Sequence, residues 1–186
     1  MSDLYLALIH YPILNKEGRV VTTSVTNFDL HDLARTGRTF GVKTVFIVTP
    51  NEKQRDMVHY IHGYWREGYG ATYNPDRSEA FQVLQAVSDL KETCLTIKNR
   101  SGSDPYLMAT SARVSPGALS FTEVRRRLTE SKQPILLCFG TGHGLAPEFI
   151  TSCDGLLEPI AGAGEFNHLP VRSAVAIILD RLIGRL

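Results

Sequence analysis

Runs of apolar residues alternate along the chain with segments of helical period. LYLALIHY (Leu4 to Tyr11) is an unbroken apolar run of strand length. The turn NKEG follows, and Val20 to Ser24 is a β-branched stretch after it. From Asp29 to Phe40 the pattern becomes helical, with Leu30, Leu33 and Ala34 on one face and Phe40-Gly41 as the stop. VKTVFIVT (Val42 to Thr49) reads as a second long strand, ended by Pro50-Asn51. Glu52 to Glu67 and Asp76 to Leu90 read as helices. Glu92 to Lys98, Tyr106 to Ser111 and Pro134 to Phe139 read as strands, with a helix from Ser120 to Glu130 between the last two. A short strand, Leu156 to Ile160, precedes a final helix from Pro170 to Ile183, with Pro170 taken as its first residue.

This alternation predicts an α/β fold with a mainly parallel sheet and helices on both faces. There is no internal repeat or linker; the polar stretch NRSGSDP is a turn, and residues 1–186 read as a single domain. In the final helix Val171, Ala174, Val175, Ile178, Leu179 and Leu182 share a stripe that Ile177 widens. A terminal helix this apolar is either well covered or part of a dimer interface.

Composition adds little direction. The formal net charge is +1, less basic than most nucleic-acid binders. No apolar run reaches the roughly 18 residues of a membrane span, and the N-terminus carries no signal-peptide pattern. A cytoplasmic protein is expected. Cys94, Cys138 and Cys153 are widely spaced and odd in number, so they read as buried thiols. His59 and His62 lie three apart on a helix without further ligands in reach, so packing is expected there and no metal. Arg125, Arg126 and Arg127, with Arg100, Arg113 and Lys132, offer either a basic patch for RNA or a solvated helix face.

The candidate chemistry lies in ILLCFGTGHGLAPEF, where a strand runs into Gly140, Gly142 and Gly144. A strand, glycines and then a helix is the context of a dinucleotide fingerprint. Glu158 falls downstream at the distance of a ribose-binding acid. In a Rossmann fold, however, this turn follows the first strand, and here it stands near the end of the chain. A second loop, Pro159 to Leu169, is rich in Gly and Ala and is also flanked by a strand and a helix. Two such loops in succession can clasp a flat ligand such as adenine.

LLCFGTGHG, then LLEPI, then a loop and LPVRSAVA resemble the C-terminal motifs of the SPOUT superfamily of RNA methyltransferases. NFDLHDLARTGRTFGVKTVFIV resembles the first motif of the ribose 2′-O branch, with Arg35 at the motif's Arg and Phe40-Gly41 at its Phe-Gly. Asp29 stands where that branch has Asn, and His168-Leu169-Pro170 where it has Ser-Leu-Asn, so base and ribose acceptors both stay open. The whole chain looks most like a single-domain group related to the tRNA guanine-N1 methyltransferase. The resemblance implies S-adenosyl-L-methionine bound in a deep C-terminal trefoil knot, a homodimer with the site at its interface, and a tRNA or rRNA substrate. It implies a cofactor site made of Thr110, Ser111, Ala112, Gly140, Thr141, Gly142, Gly144, Glu158, Pro159, Ile160, Leu169 and Val171. On this reading the glycines let the chain pass close to the ligand. Arg35 is given to phosphate or oxyanion binding, because a guanidinium does not act as a base. Asp29, Glu165 and His168 are the candidate bases, with a helix N-cap as the alternative for Asp29. Two other readings remain: a non-catalytic S-adenosylmethionine-binding protein of this fold, and a Rossmann-like nucleotide-binding enzyme.

Overall fold

A computed structural model of the protein describes residues 2–164 and 166–184. The elements in chain order are β1 (Leu4–Ile9), β2 (Ile13–Leu14), β3 (Val20–Val21), α1 (Asn27–Thr39), β4 (Val45–Val48), α2 (Glu52–Arg66), α3 (Tyr69–Tyr73), α4 (Pro75–Phe81) and β5 (Leu84–Val87). They continue with α5 (Leu90–Ser101), β6 (Tyr106–Thr110), α6 (Phe121–Glu130), β7 (Ile135–Gly140), α7 (Pro147–Thr151), β8 (Gly155–Leu157) and α8 (Val171–Ile183). Six strands form one sheet in the order β5-β4-β1-β7-β6-β8. Every pairing in it is parallel. The expected α/β architecture is therefore the observed one.

All six residues of β1 are buried, because the strand is covered on both faces. Leu4, Leu6 and Leu8 face a core built with Leu30 and Leu33 of α1, Val124 and Leu128 of α6, and Val175, Ile178, Leu179 and Leu182 of α8. Tyr5, Ala7 and Ile9 face the opposite core, with Ile97 of α5 and Phe149 of α7. The apolar stripe of α8 is thus covered by the molecule itself at those four positions.

The structure corrects several expectations. Glu92 to Lys98 is helical, within α5. Its alternating Thr93, Leu95 and Ile97 resemble a strand, yet Thr93 and Ile97 are buried while Leu95 is exposed, the spacing of a helix face. Asp89 caps this helix by accepting from the Glu92 N–H, and Gly102 ends it at φ 81°. Within the expected helix from Asp76 to Leu90, α4 stops at Phe81 and an edge strand, β5, follows. No Gly or Pro marks that break; pairing with β4 makes it. The stretch from Val20 to Ser24 contributes only two strand residues, paired with β2 in a small hairpin. Pro170 is the N-cap of α8, one residue before its first turn. Cys138 is buried, but Cys94 and Cys153 are half-buried.

Candidate functional site

In the sheet β1 is flanked by β4 on one side and β7 on the other. From β1 the chain winds outward through β4 and β5, then crosses to β6 and returns inward to β7 before leaving for β8 at the far edge. The connections that follow β1 and β7 therefore diverge and open a crevice at the carboxyl ends of these two strands. Ile9 and Gly140 end these strands in register. A cavity of about 1220 Å³ lies there.

Its back wall is the GTGHG loop. Gly142 and Gly144 have φ of 53° and 104°, a region that L side chains rarely adopt. The β2–β3 hairpin holds the loop: Leu14 N–H donates to the Gly144 carbonyl at 2.9 Å, and His143 N–H to the Leu14 carbonyl at 3.0 Å. A Cβ on Gly142 would lie 3.2 Å from Ile13 Cγ2 and from the Leu14 carbonyl oxygen, and one on Gly140 2.7 Å from Leu145 N. The space these two glycines leave is filled by the protein itself. Packing within the protein therefore already demands glycine at these two positions, while their backbones still line the cavity.

The other walls come from two loops. Thr110, Ser111, Ala112 and Arg113 line one side. The Thr110 hydroxyl donates to the Cys138 carbonyl at 3.0 Å, fixing this loop to β7. Ile160, His168, Leu169 and Val171 line the opposite side. Asn167 ties the two by donating to the Ala112 carbonyl at 2.9 Å. Glu158 lines the cavity too, and one of its oxygens accepts the Phe121 N–H of α6 at 2.6 Å. Pro159 lies outside the lining. Glu165 lies outside the described residues.

Asp29 is buried and reaches the cavity from the first turn of α1. It is not the N-cap. Thr26 is, and Asp29 is its capping-box partner, accepting the Thr26 hydroxyl at 2.6 Å. Arg172 pairs with both Asp29, at 3.6 Å, and Asp32. Arg35 lines a separate neighbouring cleft of about 470 Å³ with Asp32, Thr36, Pro170 and Arg172. The two cavities meet at Pro170. Arg35 has no salt bridge among the described residues, whereas Arg38 is paired with Glu79 at 2.5 Å.

Two members of the basic cluster are engaged within the molecule. Arg100 is bonded to Thr44 and Gln85, and Arg127 lies over the Tyr106 ring at 3.9 Å. His62 packs near Phe81, and His59 is exposed.

Of one further wall the sequence reading named only Asp29. Leu14, Thr23, Ser24, Thr26 and Asp29 close the cavity from the hairpin and α1. Behind them His10 is fully buried, and desolvation lowers its pKa to about 4. The run VVTTSVT was legible only as a β-branched stretch; its hydroxyls carried no spacing that pointed inward. Arg172 was hidden as the one charged residue inside the largely apolar LPVRSAVA.

A phosphate-bearing ligand fits this cavity poorly, since among the described residues Arg113 is the only Lys or Arg in its lining. An adenosyl-sulfur ligand fits it: apolar walls for a flat base, hydroxyls and main-chain groups, and the carboxylates of Asp29 and Glu158.

Comparison with known proteins agrees. A protein of Oleidesulfovibrio alaskensis called tRNA (guanine-N(1)-)-methyltransferase is 46% identical over 182 residues, covering 98% of this chain and 42% of that one. The chain thus spans less than half the length of that relative. A protein of Aquifex aeolicus described as uncharacterized is 39% identical over 184 residues, 99% of this chain and 90% of that one. The structure of the Aquifex aeolicus TrmH/SpoU tRNA modifying enzyme superposes with a TM-score of 0.57 at 20% identity, over 98% of this chain and 74% of the other. These likenesses overturn the Rossmann-like reading. Residues 3–184 match the SAM-dependent RNA methyltransferases, and the chain belongs to that family, on the SPOUT fold.

Proposed function

We propose that this chain transfers a methyl group from S-adenosyl-L-methionine to a base or ribose of tRNA or rRNA. The observation that carries the reading is the cavity at the β1–β7 crevice, nearly free of Lys and Arg and walled by three loops. The name of the long relative favours tRNA, but that chain is more than twice the matched length, so its guanine-N1 chemistry stays a proposal here. The domain is a single unit acting in the cytoplasm as a homodimer. It closes a trefoil knot at its C-terminal end. In support, the chain leaving β8 is laced to the segment before α6 by Leu119 N–H to Leu156 O and Glu158 N–H to Leu119 O.

When bound, the cofactor supplies an electrophilic methyl group on a cationic sulfur. Ile160, Leu169 and Val171 wall its adenine, Thr110 to Ala112 and Gly140 to Gly144 offer main-chain and hydroxyl groups, and the carboxylates of Asp29 and Glu158 favour the positive charge. The protein's main contribution is alignment of methyl and acceptor. Arg35, exposed in the adjoining cleft, holds the acceptor's phosphate or oxyanion. Asp29 is engaged by Thr26 and Arg172, so the exposed His168 is the better-placed proton acceptor.

Thermal shifts with S-adenosylmethionine, S-adenosylhomocysteine, NAD and ATP test the cofactor. At 100 times its Kd a ligand adds about 2.7 kcal/mol, roughly 5–11 °C for a chain of this size. Stabilisation by the two adenosyl-sulfur compounds alone is expected; stabilisation by NAD or ATP alone would sink the reading. Tritium transfer to bulk tRNA tests activity. Arg35→Ala should abolish transfer and leave S-adenosylhomocysteine affinity within a few-fold; loss of both would make Arg35 structural.

A further inference from the structure

His10 follows β1 directly and is fully buried behind the cavity wall, outside the lining itself. Its Nδ1 lies 3.0 Å from Thr23 Oγ1. Thr23 Oγ1 lies in turn 2.5 Å from Thr141 Oγ1. Both threonines line the cavity. A buried imidazole, a hairpin hydroxyl and a GTGHG hydroxyl thus form one chain that ends at the ligand space. Of its three members the roles above use only Thr141; His10 and Thr23 have none.

The direction of the hydrogens follows from what the ring can satisfy. Desolvation holds His10 neutral above a pKa of about 4, with the Asp29 carboxylate opposing weakly, so the ring carries a single N–H at neutral pH. Nε2 is buried and meets no hydrogen-bond partner among the described residues. An orphaned buried N–H is the costlier defect, and a bare ring lone pair the cheaper one. The hydrogen therefore belongs on Nδ1, where it donates to Thr23. The Thr23 hydroxyl then donates onward to Thr141, since its alternative acceptor, the His10 carbonyl, is 3.5 Å away. Thr141 oxygen is now the acceptor of that bond. Its own hydrogen has only the Ile9 carbonyl, at a long 3.4 Å.

We infer that His10, Thr23 and Thr141 form a polarised hydroxyl relay that presents the Thr141 O–H to the cavity as a donor, for a lone-pair oxygen or nitrogen of an adenosyl-sulfur ligand. His10 is the positioning residue: it touches no ligand, but it fixes which way the two hydroxyls point. The inference rests on the cofactor reading above and adds to it a side-chain contact and the group that orients it.

Two measurements test it. In the full chain, 15N-resolved long-range NMR correlations should find His10 as the Nδ1–H tautomer from pH 6 to 8; an Nε2–H tautomer overturns the relay's polarity. Calorimetry with S-adenosylhomocysteine supplies the second. Thr141→Val should weaken binding about 3- to 10-fold, and Thr141→Ser should restore it. His10→Asn, whose side-chain N–H falls near the position of Nδ1, should bind within about twofold of the wild type, and His10→Leu should lose as much as Thr141→Val. The double variant His10→Leu/Thr141→Val should bind no more weakly than Thr141→Val alone, because both remove one contact. Full additivity would overturn the coupling. Unchanged affinity in Thr141→Val, with the wild type binding normally, would overturn the relay and leave the cofactor reading standing. A wild-type chain that binds no S-adenosylhomocysteine would overturn both. The threonine variants keep the test valid should His10→Leu fail to fold.

Discussion

Gly142 carries two constraints at once, a positive φ of 53° and a packed neighbourhood 3.2 Å from where a Cβ would be. Gly142→Ala should therefore cost about 1–3 kcal/mol, measured by urea unfolding without ligand. No change in midpoint would show that the loop relaxes freely and that its glycine is conformationally idle. His10 makes a second prediction about stability, through pH. Its pKa falls from 6.5 unfolded to about 4 folded, so below pH 6.5 the unfolded chain binds a proton that the folded chain refuses. The stabilisation is fully present above pH 6.5 and is lost as the pH falls toward 4, about 3 kcal/mol in all. His31 and His62 are lowered in the same direction, so the comparison that isolates His10 is the wild type against His10→Asn. The wild type should lose more stability between pH 7 and 4.5; parallel curves would mean that His10 titrates normally. Legibility at this scale was uneven. Thr110, Thr141 and Leu169 were placed on the cavity by their motifs, but nothing in the sequence joins positions 10, 23 and 141, which meet only when β1, the hairpin and the GTGHG loop converge.

The β2–β3 hairpin is short, yet it sets the shape of the site. Ile13 is fully buried and bridges to Leu145, while the backbone of Pro12 to Leu14 takes up the polar groups of the GTGHG loop and its exit, including the Ala146 N–H at 3.1 Å. The sequence suggested strand character after NKEG and gave no sign that the partner of this segment lies far along the chain. The same blindness explains β5: an edge strand of four residues, with only Leu84 and Val87 buried, looks like a helix continuation until β4 is beside it. Long strands buried on both faces were legible because their apolar runs have no competing period. For the hairpin, Ile13→Ala should cost about 2–4 kcal/mol and weaken S-adenosylhomocysteine binding by displacing the loop. The half-exposed Val20 across the hairpin is the control, and Val20→Ala should stay within about 0.5 kcal/mol. Equal effects at the two positions would mean that the hairpin contributes only strand propensity, and loss of stability without loss of affinity would detach it from the site.

For the molecule as a whole, the core-facing stripe of α8 is satisfied internally, so the helix cannot offer those residues to a second copy. Exposed apolar side chains remain elsewhere, including Tyr60, Tyr69 and Tyr73 on α2 and α3, and one group of them stands on the segments that line the cavity. Phe28, Val114 and Phe166 are 70%, 87% and 80% exposed, and Leu169, which lines the cavity, is 43% exposed. They stand on α1 and on the two loops that Asn167 joins, with Arg172 near the Phe28 ring. Apolar side chains exposed beside a ligand cavity are unfavourable in water, and covering them lowers the free energy. A second copy placed there would cover them and close the cavity at one stroke, which ties the proposed homodimer to cofactor binding. Sedimentation velocity should give twice the chain mass for the wild type. Phe28→Asp/Phe166→Asp should sediment as a monomer with an unchanged circular dichroism spectrum, because neither side chain belongs to the core, and should bind S-adenosylhomocysteine more weakly. A variant that stays dimeric would move the interface elsewhere on the molecule. A monomer that binds with full affinity would leave the cavity complete within one chain, and the exposed rim would then belong to the RNA.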